Sequence, residues 1–144
     1  MRKTAQVRDF KECVSKALPD LVEDLEKLKH EVEDLWSAAE DLRYKLTASD
    51  LVHETNRQVS GLTKAIAITK VSSVINKHLK ACFGRGIGNT AKRFVSMHIE
   101  SWLGNKVSTE KFALLITKNV ALKMGIKFHV SRILNTHSDM YLQA

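Results

Sequence analysis

Residues 21–46 read LVEDLEKLKHEVEDLWSAAEDLRYKL. Within them Leu21, Leu25, Leu28, Val32, Leu35, Ala39, Leu42 and Leu46 recur at spacings of 4, 3, 4, 3, 4, 3 and 4. At ~3.6 residues per turn, that spacing lines one helix face with apolar side chains. With Leu21 as d, the a positions are Leu25, Val32, Ala39 and Leu46, and the d positions are Leu21, Leu28, Leu35 and Leu42. Leucine at every d beside one β-branched a residue leans toward a parallel dimer. No a position carries Asn, so trimers and antiparallel pairs stay open. Of the g-to-e′ pairs, only Asp24 with Lys29 is attractive, whereas Glu31 meets Trp36 and Ala38 meets Arg43. Trp36 widens the stripe beside Ala39, which also suits a bundle. The expectation is a coiled coil between chains that oligomerises through these eight residues. The alternative is a long amphipathic helix folded back on its own chain.

Outward from this stretch, a short helix is expected over about Val7 to Ala17, with Val7, Phe10, Val14 and Ala17 on one face. Pro19 then fits the first turn of the next helix, where a missing N–H costs nothing. Asp20, Glu23 and Asp24 suit the positive end of that helix. Downstream, Thr47 to Gly61 is more polar, and residues 51–61 are read as a linker or hinge.

The whole chain has 144 residues, 44% of them apolar, with one proline and six glycines. That composition favours an all-α fold: a coiled-coil region over 1–50, the linker, and a compact basic helical domain over 62–144. Charge divides the same way. Residues 1–56 hold 9 Lys/Arg and 13 Asp/Glu, a net of -4; residues 57–144 hold 14 and 3, a net of +11. A small domain so basic attracts polyanions, nucleic acid first among them. The acidic face of the first helix (Glu23, Glu26, Glu33, Asp34, Glu40, Asp41) could compete for the same basic surface.

In the basic part, Leu62 to Phe83 reads as a helix with a stripe of Leu62, Ile66, Val74, Ile75, Leu79 and Phe83. Gly84-Arg85-Gly86-Ile87-Gly88-Asn89-Thr90 ends it and builds a turn. Asn89 or Thr90 is expected to cap a helix from about Ala91 to Leu103. Lys92 and Arg93 oppose the dipole of its first turn, which makes an anion held there by Arg85, Lys92 and Arg93 a functional reading. A plain glycine-rich connector is the other reading. No Gly-Lys-Ser/Thr is present, so this is not a Walker loop. Ser108 is expected to cap the next helix, and Gly125 to close it in the left-handed conformation.

Val120-Ala121-Leu122-Lys123-Met124-Gly125-Ile126 continues through Lys127-Phe128-His129-Val130-Ser131-Arg132-Ile133-Leu134. Within residues 109–134, this stretch resembles a helix-turn-helix motif: Ala121 permits close approach, and Gly125 supplies the turn. The resemblance implies that Lys127, His129, Ser131 and Arg132 face a groove or backbone, with Arg132 on a base and Lys123 and Lys127 on phosphates. Val130 follows Gly125 by five residues where the usual pattern has six, a departure of about 100° around a helix. Ordinary core spacing would also produce this apolar pattern.

Catalysis finds little support. Beyond residue 57 the only carboxylates are Glu100, Glu110 and Asp139, and His78, His98, His129 and His137 are scattered. No enzyme, metal site or cofactor is expected. Cys13 and Cys82 lie far apart and read as packed thiols, which favours a reducing intracellular setting, nuclear or cytoplasmic. Neither a signal peptide nor a stretch of about 18 apolar residues is visible. The resulting expectation is a non-enzymatic, oligomeric nucleic-acid-binding protein, with double-stranded DNA favoured over RNA. Its role would be regulation (transcription included), replication or packaging, viral or cellular. The alternative is a coiled-coil scaffold whose basic domain docks an acidic protein.

Overall fold

Pro19 lies inside a helix, not at the start of one. In the computed structural model, which describes residues 2–44 and 50–126 (side chains over 9–43 and 54–126), the first helix, α1, runs unbroken over Arg2–Tyr44. A proline in a helix interior removes one backbone bond and costs about 3 kcal/mol. Here its ring points to solvent, and the core line beside it is continuous: Phe10, Val14, Leu18, Leu21 and Leu25 are all buried. Each large aliphatic side chain fully buried there contributes about 1.5–3 kcal/mol, enough to carry the helix through the proline.

Three further helices follow: α2 over Asp50–Phe83, α3 over Gly88–Leu103 and α4 over Thr109–Lys123. They pack with α1 as an all-α four-helix bundle, with no strand among the described residues. Residues 51–61, expected as a linker, lie within α2, and Gly61 is one of its helical residues.

The α2 face that enters the core also differs from the expected stripe. Ser60, Ala67, Val71, Ile75, Leu79 and Phe83 are buried, whereas Leu62 and Ile66 are 65% and 51% exposed. From Ala67 to Phe83 the buried set steps by four, which fixes the inward side. Leu62 and Ile66 then project from the far side with Val59.

The heptad seam is filled from within the chain. Leu21, Leu25, Val32 and Ala39 have no exposed surface, and Leu28, Leu35 and Leu42 are partly buried. Leu21, Leu25 and Val32 belong to the same apolar cluster as Val71 and Ile75 of α2 and Phe112 and Ile116 of α4. Leu46 lies outside the described residues. The helix therefore folds back, and the apolar stripe widened by Trp36 serves a bundle. The expected Asp24–Lys29 pair gives way to partners on other elements: Asp24 meets His78, and Lys29 donates to Asn105 Oδ1 at 2.6 Å.

Contacts between α1 and α2 run in antiparallel order: Phe10 with Phe83, Cys13 with Cys82, Asp24 with His78, Glu31 with Lys70, Glu40 with Lys64. The second pair is a disulfide with its Cα atoms 5.6 Å apart. Cys13 and Cys82 are therefore not the separate thiols that their 69-residue separation suggested. Only the antiparallel pairing of two long helices brings them together, and the ground for a reducing setting falls with the free thiols.

Candidate nucleic-acid interface

The junction between α2 and α3 holds three of the cations expected to contact phosphate. Gly84, at φ +75°, turns the chain out of α2. Ile87 is buried and donates its N–H to Asn76 Oδ1 at 2.6 Å, which pins the loop to α2. Ile87, and neither Asn89 nor Thr90, is the N-cap of α3, with no side-chain cap bond. Ile87 takes this place because Asn76 of the preceding helix sets the turn, which no local signal in the sequence encodes. Arg85 and Arg93 are exposed and Lys92 is partly buried, so the junction brings these three cations onto one short segment. The first turn of α3 contains no carboxylate to complement its dipole.

Lys123 sits apart from that group, exposed in the last turn of α4, where a cation suits the negative end of a helix. Gly125 has φ +79°, the left-handed turn expected of it. Lys127, His129, Ser131 and Arg132 lie outside the described residues, and so does the second helix of the helix-turn-helix likeness.

A polar chain locks α3 and α4 onto α1. Trp102 Nε1 donates to Thr109 Oγ1 at 2.9 Å, and the Thr109 hydroxyl donates to Glu26 Oε1. Trp102 is fully buried and stacks on Phe112, with ring centroids 4.4 Å apart. Lys29 lies 5.7 Å above the Trp102 ring. Ser108 caps α4 as expected, accepting from the Lys111 N–H at 3.1 Å. Trp102 and Phe112 are thus core rings, and neither offers a platform for stacking a base.

Electrostatics separate the two halves of the bundle. Carboxylates of α1 engage bases of α2: Asp24 Oδ2 lies 2.6 Å from His78 Nε2, Glu31 lies 3.1 Å from Lys70, and Glu40 is paired with Lys64. The His78 hydrogen bond is the main reason that the Asp24 carboxyl is held below its ordinary value of 3.8. Lys27 is held above its ordinary value by its hydrogen bond to Glu23 on the same helix. In contrast, Arg85, Lys92, Arg93 and Lys123 have no carboxylate partner among the described residues. From Gly84 to Ile126, seven Lys/Arg face only Glu100 and Glu110.

A second cationic feature escaped the sequence reading. A cleft of about 510 Å³ is lined by Arg43 of α1 and by Arg57, Ser60, Gly61 and Lys64 of α2. Arg57 lies 3.5 Å from Glu54, and Lys64 sits 4.8 Å above the Trp36 ring. In the sequence Gly61 only closes a polar stretch, and Arg43 lies 14 positions before the nearest of its cleft companions. A signal of this kind emerges only once the two helices are placed side by side.

Among the described residues, no group of three or more His, Cys, Asp and Glu is arranged to hold a metal ion. Cys82 is committed to the disulfide and so gives His78 no thiol nucleophile. No described helix is long and apolar enough to cross a membrane. Comparisons with protein families, with curated proteins and with solved structures find no match to this chain.

Proposed function

We propose that the protein is a non-enzymatic nucleic-acid-binding protein that contacts the phosphate backbone through the cations of the α2–α3 junction, with Lys123 as a further contact. The observation that carries this reading is the uneven pairing of charge. The acidic helix α1 occupies bases of α2, while Arg85, Lys92 and Arg93 stand together without carboxylates. Such cations attract a polyanion and fix its position without reading bases. DNA is favoured over RNA, and Lys127, His129, Ser131 and Arg132, which lie outside the described residues, are proposed as further contacts on the helix-turn-helix likeness alone. Regulation, replication and packaging are the roles this chemistry suits.

Self-association belongs to the same proposal but needs a surface other than the buried seam. Val59, Leu62 and Ile66 are apolar, exposed and on one side of α2. The alternative role is a scaffold whose basic surface docks an acidic protein.

The test is a salt series with double-stranded DNA, single-stranded DNA and RNA, with oligomeric mass measured in parallel. Each phosphate contact contributes about 0.9 to the slope of log affinity against log salt on duplex DNA. Lys92→Gln with Arg93→Gln should therefore flatten that slope by about two. Absence of binding at about 50 mM salt, where backbone contacts are strong, would replace this reading with the acidic-protein scaffold.

A further inference from the structure

The cleft between α1 and α2 has the makings of an anion site separate from the α2–α3 junction. Three of its lining residues are cationic, and they come from both helices. Arg43 is exposed and has no carboxylate partner among the described residues. The Arg57–Glu54 pair is loose and solvated, so it holds its guanidinium weakly. Lys64 is already held by Glu40 and by the Trp36 ring, which fixes its ammonium group in place.

Ser60 supplies the independent observation. The residue is 4% exposed, it lines the cleft, and its hydroxyl has no hydrogen-bond partner among the described residues. Two other hydroxyls on α2 that are not fully exposed are satisfied: Thr63 donates to the Val59 carbonyl and Ser72 to the Ile68 carbonyl, each at 2.8 Å. A buried hydroxyl without a partner is costly and uncommon. Beside it, Gly61 presents bare backbone toward open space, since a Cβ there would meet nothing within 4 Å.

We infer that this cleft binds a phosphate group, with Arg43 and Arg57 as charge partners and the Ser60 hydroxyl as a donor. An anion with several acceptor oxygens suits all three, because charge-assisted bonds from guanidinium groups to phosphate are strong and often bidentate. Carboxylates from Glu40 and Glu54 border the site, so the surplus charge rests on Arg43. The phosphate is either part of a nucleic-acid backbone or free in solution. The inference rests on the cleft alone and does not require the α2–α3 junction to bind DNA.

The test uses the full disulfide-bonded chain, labelled with ¹⁵N and titrated with inorganic phosphate at fixed pH and ionic strength. A parallel titration uses a short single-stranded oligonucleotide without terminal phosphates. A saturable shift at the Gly61 amide with phosphate alone identifies a free phosphate as the occupant. A shift with both identifies the backbone. Arg43→Gln and Ser60→Ala should each weaken the phosphate response about tenfold, as loss of a hydrogen bond to a charged group does. Ser60→Ala should leave the melting temperature unchanged or raised, because it removes an unpartnered buried hydroxyl. A Gly61 amide unmoved by either titrant, or equal affinity in both variants, overturns the proposal. Lys92→Gln serves as the control and should leave the Gly61 response intact whether or not DNA binding at the junction is lost.

Discussion

Asp24 and His78 join α1 to α2 through one hydrogen bond, and that bond makes stability depend on pH in a definite direction. The folded state holds the Asp24 carboxyl below its ordinary 3.8. A depressed carboxylate stabilises the fold at pH values above its unfolded value, and that contribution disappears as pH falls through the lower, folded value. Asp24→Asn should therefore lose stability relative to the native chain at neutral pH, and the difference should shrink as pH drops below about 4. Thermal unfolding of both chains across that range checks it; parallel curves at all pH values would show that the bond carries no linkage. At this scale the sequence is legible where the determinant is local. Ser108 as a cap and Gly125 as a left-handed closure both follow from neighbours within a turn. Ile87 as the cap of α3 does not, because Asn76, 11 residues away, decides it.

Helices were legible as elements, whereas their partners were not. A 3–4 apolar spacing states that a face must be buried but not against what. The same leucines that read as a seam between two chains pack on α2 and α4 within one chain. Pro19 suits a first helical turn and Gly61 closes a polar stretch, so each marks a boundary in the sequence, yet burial along the rest of α1 and α2 carries both helices through them. Leu25 is fully buried in this seam, so Leu25→Ala should cost about 2–5 kcal/mol in denaturant unfolding. With the proposed self-association face on α2 blocked by Leu62→Glu and Ile66→Glu, the unfolding midpoint should also stay constant as protein concentration is varied. A midpoint that climbs with concentration would indicate that the seam is instead completed by a second chain.

Across the whole molecule, the Cys13–Cys82 bond closes a loop between residues 69 positions apart. Chain-entropy reasoning gives a stabilisation of about 4 kcal/mol for a loop of that length, with 2–4 kcal/mol the commonly measured range. Replacing both cysteines by serine should lower the unfolding free energy by that amount while leaving the far-ultraviolet helical signal in place. A loss well under 1 kcal/mol would mean that the unfolded chain is already compact at this loop. Charge at this scale was legible as a division along the chain, not as an arrangement in space. The sequence splits into an acidic and a basic part, and the fold then sets the two parts side by side, so that α1 neutralises α2 and leaves the junction at Arg85, Lys92 and Arg93 uncompensated. Those three were recognisable in advance because they are near neighbours in sequence. The cleft at Ser60 was not, since its walls come from helices that only the bundle brings together.

The same bond also gives the chain the topology of a ring with two tails. Residues 13–82 form the closed part, and everything else leaves it from Cys13 or Cys82. One cut in any peptide bond inside the ring, including one between α1 and α2, releases no fragment: both pieces stay covalently joined and migrate as one band until a reductant is added. A cut in either tail separates at once. Cleavage between the two long helices would therefore open the hairpin end, where Arg43 and Ser60 meet, without detaching α1 from the rest of the bundle.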